Sequence, residues 1–163
     1  MKLLALLFLT SYLFFACDKQ GYKSFTETNE FGEVVGEADP TDWIADADWK
    51  SGIEDLIASE CELEGIGNSE TVAVYPAFPN PATFSTTFAA NVEDSCLMRV
   101  VIVDKYNTVY SKFCRHLIPG NNLLDLDISS FALAVGGRYR LYYAFLDESD
   151  AVFYKGHGDI VHV

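Results

Sequence analysis

The chain has 163 residues, with 24 acidic against 11 basic side chains and a net charge of −13 at neutral pH. That balance excludes a nucleic-acid partner, because such binding depends on Lys and Arg neutralising phosphates, and it excludes charge-driven docking on anionic lipid. Half the residues are hydrophobic, among them 12 Phe and 9 Tyr, so the chain can bury one domain-sized core and is not intrinsically disordered.

The chain opens with Lys2 and an apolar run, Leu3–Phe15, broken only by Thr10, Ser11 and Tyr12. Phe14-Phe15-Ala16-Cys17 ends it, and polar residues follow at once. A basic start, a short hydrophobic centre and a small residue before the cut form the layout of an export signal. The run is too short to span a bilayer, which takes about 20 apolar residues. Cys17 directly after Ala16 resembles the lipobox of bacterial lipoproteins. The resemblance implies a signal peptide over residues 1–16, removed with Lys2, so that the net charge moves from −13 to −14. It also implies acylation of Cys17. One acyl chain holds a membrane only marginally, and the diacylglyceryl group plus N-acyl chain of a lipoprotein meets the need for more than one. The expected location is the bacterial cell envelope, lipid-anchored at the outer membrane, with residues 17–37 as a tether.

Residues 38–69 read as an extension. Asp39, Asp42, Asp46 and Asp48 could offer oxygen ligands to calcium, but they lack the regular D-x-D-x-D-G loop and read as a solvated acidic surface without metal. Trp43 and Trp49 stand between these acids. They either cover an open edge or end of the following domain or, with Tyr106 and Tyr142, form a platform for sugar rings. Ser51-Gly52-Ile53-Glu54 is a capping box, and Ile53, Leu56, Ile57 and Cys61 share one face at helical spacing. The pattern predicts one short helix from 52 to about 61, docked on the domain. Gly65–Ser69 is a linker.

From residue 70 to 163 the texture is that of strands. Thr71–Val74 and Phe84–Ala90 come first, then Leu97–Asp104 and Thr108–Cys114 flank Lys105-Tyr106-Asn107 as a β-hairpin, with Asn107 accepting the left-handed conformation. Leu124, Leu126 and Ile128 alternate with Asp125 and Asp127. Tyr139, Leu141, Tyr143 and Phe145 alternate with Arg138, Arg140, Tyr142 and Ala144. Val152–Lys155 and Asp159–Val163 follow, separated by Gly156–Gly158. About seven strands of this length predict an all-β, immunoglobulin-like antiparallel sandwich.

Ala77-Phe78-Pro79-Asn80-Pro81-Ala82-Thr83 looks like the Y-P-N-P-a-t opening of the C-terminal domains on type IX secreted proteins, and of the similar immunoglobulin-like domain of flagellar hook-capping proteins. Val101–Asp104, Pro119-Gly120-Asn121-Asn122 and Gly137-Arg138-Tyr139 continue the likeness over about residues 74–146. The resemblance implies the immunoglobulin-like fold. The tail, Phe153–Gly158, departs from the family's ending, so the likeness is one of fold and not of secretion role.

With Cys17 spent on lipid, Cys61, Cys96 and Cys114 remain in an oxidising compartment. If Asp104 and Thr108 flank the hairpin loop, Cys114 faces Met98 and Cys96 is its diagonal neighbour. Diagonal neighbours lie ~7–8 Å apart, a little beyond the ~6.8 Å reach of a disulfide. A register change or bulge would close a Cys96–Cys114 bridge; otherwise both are small buried hydrophobes. His116, His157 and His162 are scattered, and no nucleophile motif or phosphate loop is present. The expected function is therefore that of a membrane-anchored, non-enzymatic binding or assembly module, with an envelope protein as partner and no cofactor. The alternatives are a glycan-binding module using exposed aromatics and a small hydrolase using acids of the extension.

Overall fold

A computed structural model describes residues 24–46, 49, 52–59, 61–62, 65–67 and 69–163. Cys17, Asp48 and Ser51 lie outside the described residues, and with them the expected signal peptide, the expected acylation site and the first residue of the expected capping box. The strands are β1 (Ile44–Ala45), β2 (Val72–Phe78), β3 (Ser85–Val92), β4 (Cys96–Val103), β5 (Val109–Leu117), β6 (Gly120–Asp127), β7 (Arg138–Leu146) and β8 (Val152–Val161), with one short helix, α1 (Ile53–Ile57). Two antiparallel sheets face each other: five strands in the order β1-β8-β7-β4-β5, and three in the order β2-β3-β6. The described residues form an all-β sandwich with one short α-helix, as the alternating strands predict.

Side chains of period two fill the space between the sheets: Phe88, Ala90 and Val92 of β3, Met98, Val100 and Ile102 of β4, and Leu141, Tyr143 and Phe145 of β7. The hairpin between β4 and β5 turns on Asn107, at φ 63°. The Asp104 carboxylate accepts from the backbone of Tyr106 and Thr108 at 2.8 and 2.9 Å, an Asx arrangement that holds the loop.

The two strands expected around Gly156–Gly158 are one strand, β8. The glycines serve close approach here rather than a turn. A Cβ on Gly158 would lie 2.2 Å from the Trp43 ring, and one on Gly156 would lie 2.3 Å from the Ile44 carbonyl oxygen. Trp43 thus lies over β8 inside the sandwich, 6.4 Å from Tyr143 in a stacked pair and 6.0 Å from Phe88.

The tether expected over residues 17–37 does not extend through its second half. Thr26 and Thr28 are buried, and Thr28 bridges both Val34 and Asn80. Asn80, from the Pro-Asn-Pro motif, donates to the carbonyls of Thr26 and Asp159 at 3.0 and 2.8 Å and accepts from the Val161 amide at 2.9 Å. Few large apolar groups mark this stretch because hydrogen bonds, not apolar area, hold it. The helix is also shorter than its pattern predicts. Gly52, at φ 91°, is its N-cap without a side-chain hydrogen bond, and Glu54 bonds the Lys155 ammonium at 2.8 Å instead of capping.

Candidate functional site

The central strands β4 and β7 of the five-stranded sheet are buried on both faces. On the sheet's outer face Ile53 and Ile57 of α1, with Ile66, meet Leu97, Val101 and Val103 of β4 and Tyr142, Ala144 and Leu146 of β7. A five-residue helix has no stability of its own, so its place is set by what it covers and by a covalent tie.

That tie corrects the expected Cys96–Cys114 bridge: Cys114 is bonded to Cys61, with Cα atoms 6.4 Å apart, and Cys96 is a free, buried thiol. The cause is a bulge. Val103 pairs Val109, but Ile102 pairs Ser111, which leaves Tyr110 unpaired and puts Cys114 opposite Arg99 rather than Met98. A slip of one residue turns every later side chain to the other face. Cys114 therefore points outward to the extension, while Cys96 points into the sandwich, where burial pushes its thiol up to about 11.

The extension then follows the free side of β8 and covers it. Asp46 N–H donates to the Lys155 carbonyl, β1 pairs Gly156 and His157, the Asp159 amide donates to the Asp42 carboxylate at 3.1 Å, and Asn80 takes Val161. Among the described residues that edge is unpaired only over Val152–Tyr154. There, between α1 and β8, opens a groove of about 570 Å³. Trp49 is the aromatic side chain of its α1 side, Phe153 and Tyr154 border it while their rings pack on Phe145 and Tyr143 of the inner core, and Asp46, Glu54, Arg99 and Lys155 are its charged lining. Trp49 donates from Nε1 to Asp46 at 3.2 Å, meets Tyr142 edge-on at 5.5 Å and lies 5.1 Å from the Lys155 ammonium. Arg99 donates from Nη2 to Asp150 at 2.7 Å, while its Nε is buried without a partner.

The four aromatics expected as one platform are dispersed. Trp43 is interior and Tyr142 is buried under Trp49; Tyr106 is exposed at the hairpin tip beside Lys105. Trp49 alone of the four lines the groove. Sequence reasoning passed over Arg99, Phe153, Tyr154 and Lys155. The signal for Arg99 was present: it is the one charge inside the apolar run Leu97–Val103.

Nor are the described acids, Asp39, Asp42 and Asp46, a solvated patch. Asp42 is buried, accepting from the amides of Thr26 and Asp159, and burial followed by the nearby Asp159 charge pushes its carboxyl up to about 7. Asp159 is fully buried, held by Arg140 through Nε at 2.6 Å and Nη2 at 2.8 Å; burial raises its carboxyl despite that pair. Asp39 bonds Ser24 and Thr41, and Asp46 bonds His157 and Trp49. Among the described residues no three His, Cys, Asp or Glu side chains are grouped to hold a metal ion.

No family model matches the chain, and no curated protein matches it. Among solved structures it is similar to a β-glucuronidase from glycoside hydrolase family 2, at 16% identity and a TM-score of 0.31. That likeness covers 62% of this chain and 12% of the enzyme, and at such a TM-score it carries no argument about either fold or activity.

Proposed function

We propose that this chain is a lipid-anchored module of the bacterial envelope, held through Cys17, that binds another envelope component without transforming it. The Met1–Cys17 pattern supports the anchor. For binding, the observation that carries the reading is the groove at the end of β8, where aromatic and charged side chains converge in a volume of ligand size. The histidines are meanwhile committed to the fold: His116 to the Glu62 carbonyl at 2.7 Å, His162 to that of Leu133 at 3.0 Å, and His157 to Asp46. General acid–base work needs a group free to exchange its proton with substrate. Cys17→Ser should move the protein from the membrane to the soluble fraction and abolish labelling by a fatty-acid analogue. Retention of that variant in membranes would overturn the anchor. Turnover of any member of a glycoside, ester and peptide substrate panel by the purified full-length protein would overturn binding without chemistry.

A further inference from the structure

The groove beside Trp49 constrains its ligand through its own chemistry. Asp46 and Glu54 offer only acceptors, Arg99 and Lys155 only donors. Two carboxylates against two cations leave little net charge, so a polyanion would meet Asp46 and Glu54, and a polycation would meet Arg99 and Lys155. A neutral ligand fits best. Arg99 lines the groove with a side chain 14% exposed, and its Nη2 donates to Asp150, which stands outside the lining, so the guanidinium is held in place without a groove ligand. A hydroxyl both donates and accepts. A ring of hydroxyls can therefore accept from Arg99 and Lys155 while donating to Asp46 and Glu54, with its C–H surface against Trp49.

An extended peptide also carries donors and acceptors, but it binds beside a sheet by adding a strand to a free edge. Here Asp46, β1, Asp42 and Asn80 already occupy that edge, and the described residues leave only Val152–Tyr154 of it open. That stretch is too short to specify a strand partner.

We propose that the groove lined by Trp49, Arg99, Phe153, Tyr154 and Lys155 is a subsite for a neutral saccharide unit. This rests on the reading of the chain as a binding module. The test is calorimetric titration of the full-length protein, in detergent, with cellotetraose, maltotetraose, mannotetraose and tetra-N-acetylchitotetraose, against tetragalacturonate as an anionic control. At least one neutral tetrasaccharide should bind at about millimolar concentration or tighter. Its affinity should fall roughly tenfold in both Trp49→Ala and Arg99→Lys, the latter keeping the charge but losing the planar fork of donors. Tyr106→Ala, at the hairpin tip, should bind as the parent does. Should either groove variant fail to fold, Lys155→Gln at the rim takes its place with the same expectation. No binding of any neutral sugar, preference for the anion, or affinity indifferent to the groove variants would each overturn the subsite. If no sugar binds while Cys17→Ser still leaves the membrane, the subsite falls and the anchored module stands; if sugar binds and Cys17→Ser stays in the membrane, the anchor falls instead.

Discussion

The two faces of the five-stranded sheet are buried by different means. The inner face meets a second sheet, and regular alternation on both sides fills the space between them, with Trp43 inserted from the extension. The outer face meets a five-residue helix and irregular chain, held by the Cys61–Cys114 bond, the Glu54–Lys155 pair and the Asp42–Asp159–Arg140 cluster. Regular packing spreads its stabilisation over many apolar contacts, whereas an irregular cover depends on a few specific ties. Substitutions on the two faces should therefore fail differently.

The largest effect should come from the inner face. Trp43→Ala leaves a cavity over Gly158 and beside Tyr143 and removes the group that pins β1, at a cost of about 3–5 kcal/mol. Urea midpoints of the parent and variant measure it; a loss below about 1 kcal/mol would mean that Trp43 is not a core residue. On the outer face, Cys61→Ala and Cys114→Ala should each cost about 2–4 kcal/mol, and the double variant no more than either alone, because one bond is lost in all three. Cys96→Ala should keep the cross-link. Peptide mapping of the unreduced protein distinguishes the pairings: a peptide joining Cys96 to Cys114 would refute the bulged register.

The most gradual effect is the pH response of the buried acids. A carboxyl raised from 3.8 to about 7 holds a proton in the folded chain that the unfolded chain has already released, so Asp42 contributes stability that is complete below about pH 4 and lost as pH rises through 7. Asp159 shifts in the same direction. The lowered carboxyls of Asp39, Asp127 and Asp147 titrate below 3.8, outside this window. Stability should therefore fall between pH 4.5 and 7.5, on the order of 3 kcal/mol. Asp42→Asn should flatten that fall while losing one acceptor. A stability that rises over the same window would contradict the burial of Asp42.

Much of the sandwich was legible along the chain because a strand's alternation reports the face it buries. The Asp104–Thr108 hairpin, the Tyr139–Phe145 alternation and the amphipathic spacing of Ile53 and Ile57 were all readable in this way. The candidate site was scarcely legible. Trp49 stood out as a large aromatic, but Arg99, Phe153 and Lys155 come from strands far apart in sequence and meet only after β8 has paired with β7 and α1 has docked across them.

Local order alone determined most strand segments and the hairpin turn at Asn107, since each depends on neighbours a few residues apart. Tertiary structure decided which cysteine Cys114 meets, that Gly156 and Gly158 make room for Trp43, and that Asp42 is buried. The reason is the same in all three cases. A one-residue bulge at Tyr110 reverses which face Cys114 presents, and an irregular segment chooses its partners by hydrogen bonds across more than a hundred residues, as Asp42 does with Asp159. Neither leaves a period in the sequence.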